Sequence, residues 1–210
     1  MTKDLIKRIL SSLILLPIVL FLIIEGSILF DIFLTIILAI TLYEWHKMTK
    51  SKPYYFFGLI FIFISFYTIH KFINFENNYI YFLIVTLICV STDIGGYVFG
   101  NIFKGPKITK ISPKKTYSGM IGGYIVSIIV LIVFLSPITI TFNILIFILL
   151  VSSVSQLGDL IISYFKRLSK IKDTGHIIPG HGGLLDRIDG MIFAFPFSYL
   201  ILKLKILQIL

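Results

Sequence analysis

The chain has 210 residues, 57% of them hydrophobic and 14% charged, and a formal net charge of +9. Soluble globular domains carry about 25% charged residues, so a water-soluble fold is excluded and an integral membrane protein is indicated. At about 20 apolar residues per span little chain remains for a soluble part, and one membrane domain, residues 1–210, is the economical reading.

Apolar runs fall near residues 5–24, 27–45, 54–70, 79–100, 119–136, 138–165 and 184–207. They predict an all-α, polytopic helical bundle of about seven transmembrane helices. The apolar stretch of the first run near 9–24 follows Lys7 and Arg8 as in a signal peptide, but no small-residue cleavage site follows it, and it is read as a retained helix. Lys and Arg number three at the N-terminus, none after the first run, then three, one, five, none and five in the successive connections, and two near the C-terminus. The positive-inside rule reads this alternation as a cytoplasmic N-terminus and cytoplasmic segments 46–53, 101–117 and 166–187. The C-terminus, with Lys203 and Lys205, is left on the outside. Cations confined to short segments between apolar runs fit topology and anionic ligands, and nucleic acid is not an expected partner. Cys89 sits within an apolar run and implies neither a disulfide nor a metal site.

The second run ends at Tyr43 and Trp45, as an aromatic belt would. Trp45 and His46 are read as interfacial anchors, and Glu25, Asp31 and Glu44, near run ends, as solvated or interfacial acids. The third run is aromatic, with Phe56, Phe57, Phe61, Phe63, Phe66 and Tyr67 expected to face lipid or pack, and His70, Lys71 and Glu76 expected to form a short outer loop.

The fourth run changes character where Ser91, Thr92 and Asp93 precede Gly95, Gly96 and Gly100. An ionisable residue in or near a span is costly and is a functional candidate, though Asp93 also reads as a cap at the membrane surface. The glycines permit close helix packing. In the basic segment that follows, Lys114 and Lys115 lie between Ser112-Pro113 and Thr116, with Gly119, Gly122 and Gly123 opening the next run. The free amides of a helix N-terminus suit an anion. Ser112, Lys114, Lys115 and Thr116 are therefore expected to meet nucleotide or lipid phosphate, while Lys104, Lys107 and Lys110 are read as topology signals.

Polar residues concentrate from Ser152 to Asp189, which holds four of the ten acids, five of the nineteen Lys and Arg, and two of the four histidines. In its first half Ser152, Ser155, Gln156, Asp159, Ser163 and Lys166 follow helical spacing and predict a polar stripe down an apolar helix. Its second half, with Gly175, Pro179, Gly180, Gly182 and Gly183, predicts a loop whose backbone can approach a ligand. Asp186 and Asp189, one helical turn apart, with Asp159, are candidate ligands for a hard divalent cation. Lys166, Arg167, Lys170, Lys172 and Arg187 are residue types that neutralise phosphate. Carboxylates for a metal and cations for phosphate suggest phosphoryl-type chemistry.

The pattern Ser163, Lys166, Arg167, Lys172, Asp173, Gly175, Pro179, His181, Gly182, Gly183, Asp186, Arg187, Asp189 resembles the signature of the phosphatidate cytidylyltransferases, or CDP-diacylglycerol synthases. A second block resembles the same family: Asp93 to Tyr97, Gly100, Ser112 to Thr116, Gly119, Gly122 and Gly123, with Ser118 where many members carry an acid. The two blocks cover residues 91–190, and the N-terminal part is short for the family.

The resemblance implies transfer of CMP from CTP to phosphatidate, giving CDP-diacylglycerol and pyrophosphate for phospholipid synthesis. It implies Asp159, Asp186, Lys166, Arg167, His181 and Arg187 as catalytic, with His181 a phosphate donor or loop organiser rather than an obligatory base. Ser112, Lys114, Lys115, Thr116, Ser163, Lys172, Gly182 and Gly183 would bind substrate. Asp159 and Asp186 would hold Mg²⁺, with Asp189 and Asp93 next, and a second, monovalent cation is left open. The implied partners are CTP, phosphatidate and membrane lipids, with a homodimer left open. The implied location is the plasma or inner membrane with the active site facing the cytoplasm. The rival readings are a CTP-dependent polyprenol kinase, an ether-lipid cytidylyltransferase, and a channel or transporter whose acids mark a conduction path. The dense match at 163–189 argues against the kinase, and the clustering of charge near one face argues against the channel.

Overall fold

A computed structural model describes residues 17–19, 21–23, 25, 28–73, 75, 79–109, 111–135, 141–175, 177 and 182–207. The described elements are helices α1 (Ile28–Thr49), α2 (Tyr55–Ile73), α3 (Ile80–Phe103), α4 (Tyr117–Leu135), α5 (Phe142–Leu168), α6 (Leu185–Ile188) and α7 (Met191–Lys203). An isolated antiparallel bridge joins Lys107 and Thr116. Helices α1 to α5 are long and apolar enough to cross a membrane, and the protein is a multi-pass membrane protein, the all-α class expected. The first apolar run lies largely outside the described residues.

The seventh run departs from a single span. It is divided into the four-residue α6 and the 13-residue α7, and 13 residues rise only about 20 Å against a hydrocarbon core of about 30 Å. The break falls at Asp189-Gly190, where Asp189 Oδ1 accepts a hydrogen bond from the Gly190 amide at 2.9 Å, a local bond that competes with the helical ladder.

The chain packs as two compact units, Met1–Tyr79 with Phe165–Ile188, and Ile80–Tyr164 with Asp189–Leu210. In the first unit α1 and α2 form a hairpin. Thr49 closes α1 by donating to the Trp45 carbonyl at 2.7 Å, and Pro53 lies in the turn before α2. Trp45 is not an interfacial anchor, for it is 2% exposed. Its ring meets Phe165 edge-on at 5.5 Å, its Nε1 donates to the Tyr55 carbonyl at 3.0 Å, and Gly58 leaves room for the indole. Tyr43 does stay exposed. On α2, Phe56, Phe57, Phe63 and Tyr67 are exposed and Phe66 is buried, so the aromatic run serves both lipid and core. His70 and Lys71 belong to this helix rather than to an outer loop, and His70 Nε2 pairs with Asp31 Oδ1 at 3.1 Å. Glu76 lies outside the described residues.

In the second unit α3 and α4 pack through their glycines. A methyl group at Gly95 would meet the Gly122 carbonyl, one at Gly119 would sit 2.7 Å from the Gly96 carbonyl, and one at Gly122 would overlap Phe99. Small residues let the two backbones approach closely where apolar side chains gain nothing over lipid. Gly95→Leu is therefore expected to force the helices apart. Overpacking of this kind costs about 1–3 kcal/mol, and thermal unfolding in detergent should read it as a Tm lower by roughly 3–10 °C. An unchanged Tm would contradict this packing.

Candidate functional site

The polar stripe predicted on α5 faces inward: Ser152, Ser155, Ser163 and Lys166 are all buried. The chemistry-bearing side chains form two clusters, one in each unit.

The first unit's cluster is built on Asp186 of α6. Its Oδ1 accepts from Lys166 Nζ at 2.7 Å, and the pair is nearly sealed, with side-chain exposures of 10% for Lys166 and 7% for Asp186. Its Oδ2 accepts from the Thr174 amide at 2.8 Å, the Thr174 hydroxyl at 3.1 Å and the Gly183 amide at 3.3 Å. One carboxylate thus ties the C-terminal turn of α5 to both ends of the glycine-rich loop. Gly182 precedes this contact with φ +88°, a left-handed backbone that glycine adopts without strain. Arg167 is exposed and donates through Nη1 to the Ile171 carbonyl at 3.0 Å, closing the end of α5. Lys172, Asp173 and Arg187 are exposed. His181, with His176, Pro179 and Gly180, lies outside the described residues.

This cluster contains an acid that sequence reasoning set aside. Glu44, taken there as interfacial, is 1% exposed. It accepts from the Leu184 amide at 3.0 Å, the Leu185 amide at 2.8 Å and the Thr174 hydroxyl at 2.9 Å.

The second unit's cluster centres on Asp159. Its Oδ2 forms an ion pair with Lys115 Nζ, and its Oδ1 accepts from Ser163 Oγ at 3.3 Å. The basic segment that supplies Lys115 is folded back on itself, with the Ile108 amide donating to the Lys115 carbonyl and the Tyr117 amide to the Pro106 carbonyl. Thr116 caps α4, its hydroxyl accepting from the Gly119 amide at 3.2 Å. Ser118 Oγ donates to the Lys104 carbonyl where Lys104 itself is left-handed, φ 52°. A carboxylate at position 118 has no hydrogen to give that carbonyl, so the serine has its own structural use. Ser112 closes a turn by accepting the Lys115 amide at 3.0 Å through its carbonyl. Lys114 and Asp93 are exposed, and Asp189 is buried. Thr92 donates to Ser152 Oγ at 2.8 Å.

Both clusters set a carboxylate oxygen against a lysine ammonium, a cation on a flexible stem that can withdraw. Such oxygens are the donors a hard cation takes. Among the described residues no three His, Cys, Asp or Glu side chains stand together as a preformed cage; Mg²⁺ uses one or two carboxylates and fills its shell with water and substrate oxygens. The donor chemistry fits the ion.

Residues 54–205 match the cytidylyltransferase family. The chain belongs to that family. It is 37% identical over 212 aligned residues to the phosphatidate cytidylyltransferase of Rickettsia felis, covering 95% of this chain and 92% of the relative. It is 39% identical over 213 residues to that of Rickettsia bellii, covering 95% and 91%. The enzyme of the same name from Staphylococcus saprophyticus is 42% identical over 128 residues, 58% of this chain and 48% of the relative. The resemblance carried by residues 93–123 and 163–189 is thereby borne out. As a cytidylyltransferase, the chain places the signature's Lys166, Gly183 and Asp186 in one hydrogen-bonded cluster of the first unit.

Proposed function

We infer that the protein is a phosphatidate cytidylyltransferase. It joins CTP and phosphatidate at the cytoplasmic surface of the plasma or inner membrane to give CDP-diacylglycerol and pyrophosphate. The observation that carries this reading is the buried Lys166–Asp186 pair at the head of the glycine loop, in a chain whose relatives bear that name over nearly their whole length.

In the reaction, an oxygen of the lipid phosphate attacks the α-phosphorus of CTP while the bond to the bridging oxygen of pyrophosphate breaks. The attacking group has a second pKa near 6, so it is largely dianionic at neutral pH and needs little help from a base. Charge repulsion and leaving-group charge dominate the barrier, and fixed cations lower both. Lys166, Arg167, Lys172 and Arg187 in the first unit, and Lys114 and Lys115 in the second, supply them; Ser112, Thr116, Ser163, Gly182 and Gly183 are the neutral residues we assign to substrate. The carboxylates we assign to Mg²⁺ are Asp159 and Asp186, with Asp189 and Asp93 next. Bound there, the ion would neutralise phosphate charge. The acyl chains remain in the bilayer while the headgroup reaches the protein's polar residues.

The test is purified protein in detergent with phosphatidate, CTP and Mg²⁺. Lipid-linked cytidine and pyrophosphate should form in equal amounts, and neither after chelation of the metal. Release of CDP with a phosphorylated alcohol would favour a kinase, and untouched CTP would reject transfer altogether.

A further inference from the structure

The buried Glu44 belongs to no signature pattern and plays no part in the chemistry just described. It projects from α1, an apolar helix, and an ionisable side chain buried there is costly unless its oxygens are satisfied. Two backbone amides and one hydroxyl satisfy it, all from the glycine loop and its exit: Oε1 takes the Leu184 amide, and Oε2 takes the Leu185 amide and the Thr174 hydroxyl. The loop is shaped to receive it. A Cβ at Gly175 would stand 2.6 Å from Glu44 Oε1, and one at Gly183 would stand 2.7 Å from Oε2. Both glycines leave the space that the carboxylate fills.

Thr174 links this acid to the reaction cluster. Its hydroxyl lies 2.9 Å from Glu44 Oε2 and 3.1 Å from Asp186 Oδ2, and a threonine hydroxyl has one hydrogen to donate. The two carboxylates therefore share a single proton donor. Glu44→Gln keeps one acceptor oxygen and turns the other into an N–H donor, so either the Leu184 amide or the Leu185 amide with the Thr174 hydroxyl loses its acceptor. The partners of Asp186 Oδ2, Thr174 and Gly183, sit on the freed segment, and Lys166 follows through its pair with Oδ1.

We propose that Glu44 is a positioning residue for cytidylyl transfer, holding both ends of the glycine loop and, through the Thr174 hydroxyl, fixing the carboxylate of Asp186. The proposal rests on the reaction proposed above.

The experiment compares purified wild type, Glu44→Gln, Thr174→Val, Thr174→Ser and the Glu44→Gln/Thr174→Val double variant, with rates expressed per folded molecule. Groups that orient reacting residues from behind typically cost 10–100-fold when removed, and Glu44→Gln and Thr174→Val are each expected to lower kcat by about that factor. KM for CTP should stay within about threefold of wild type, the signature of lost transition-state alignment. Thr174→Ser keeps the hydroxyl and should keep most of the activity. The double variant should lose less than the product of the two single losses, since the two residues share one hydrogen. A folded Glu44→Gln protein with wild-type kcat, or multiplicative losses in the double, would reduce Glu44 to a packing residue. If Glu44→Gln does not fold, wild-type kcat in Thr174→Val overturns the proposal in the same way. An inactive wild type would instead overturn the reaction itself, and the proposal with it.

Discussion

Asp186→Asn is expected to remove cytidylyl transfer almost completely, by roughly 10²–10³-fold or more in kcat, the loss typical when one preorganised electrostatic group is taken from a transition state. The substitution keeps the side chain's volume but cancels the charge that faces Lys166 at 2.7 Å and turns one oxygen into an N–H donor. That donor must then face either the ammonium or the amides of Thr174 and Gly183. The measurement is the rate of lipid-linked cytidine formation by protein whose folding has been checked by its Tm. A folded variant with more than about one tenth of wild-type activity would show that Asp186 serves the loop alone, well short of the loss such a group causes.

Lys166→Met has its largest expected effect on stability. It deletes the cation of a nearly sealed pair and leaves a buried carboxylate without compensation. Breaking such a pair from one side costs about 3–5 kcal/mol; the three donors on Asp186 Oδ2 favour the lower part of that range. Replacing both partners by apolar residues of similar size removes the uncompensated charge and is often neutral. The Lys166→Met/Asp186→Leu protein is therefore expected to unfold at a higher temperature than Lys166→Met alone while remaining inactive. Thermal unfolding of the two variants in one detergent checks this. A double variant less stable than the single would mean that the Thr174 and Gly183 donors orphaned by losing Asp186 cost more than the unpaired charge.

Much of the fold was legible because apolar run length alone places helices in a membrane: the runs near 27–45, 54–70, 79–100, 119–136 and 138–165 correspond to α1 through α5. The inward stripe on α5 was legible too, since Ser152, Ser155, Ser163 and Lys166 repeat at helical spacing in an otherwise apolar segment. The break in the last run left a trace in Asp189-Gly190, a short acceptor beside a glycine, masked by the strong hydrophobicity on either side.

Glu44 was not legible. Its partners lie 130 to 141 positions away in the chain, and two of the three are backbone amides, which leave no mark on residue type. An acid at the end of an apolar helix reads as interfacial until the fold brings a donor-rich loop to it. Trp45 misled for the same reason, because an indole suits both a membrane interface and a core that offers its N–H an acceptor. In the basic segment, the pairing of Lys115 with Asp159 and the tie from Ser118 to Lys104 depend on backbone bonds such as Ile108 to Lys115 that spacing does not reveal.

The most direct measurement follows the fate of each phosphorus of CTP. Purified protein is given phosphatidate, Mg²⁺ and CTP labelled in parallel reactions at the α- or the γ-phosphate, and the lipid and aqueous products are separated. Cytidylyl transfer predicts α-label in the lipid and γ-label in pyrophosphate. Label from the γ-position in the lipid, with CDP left in solution, would contradict it.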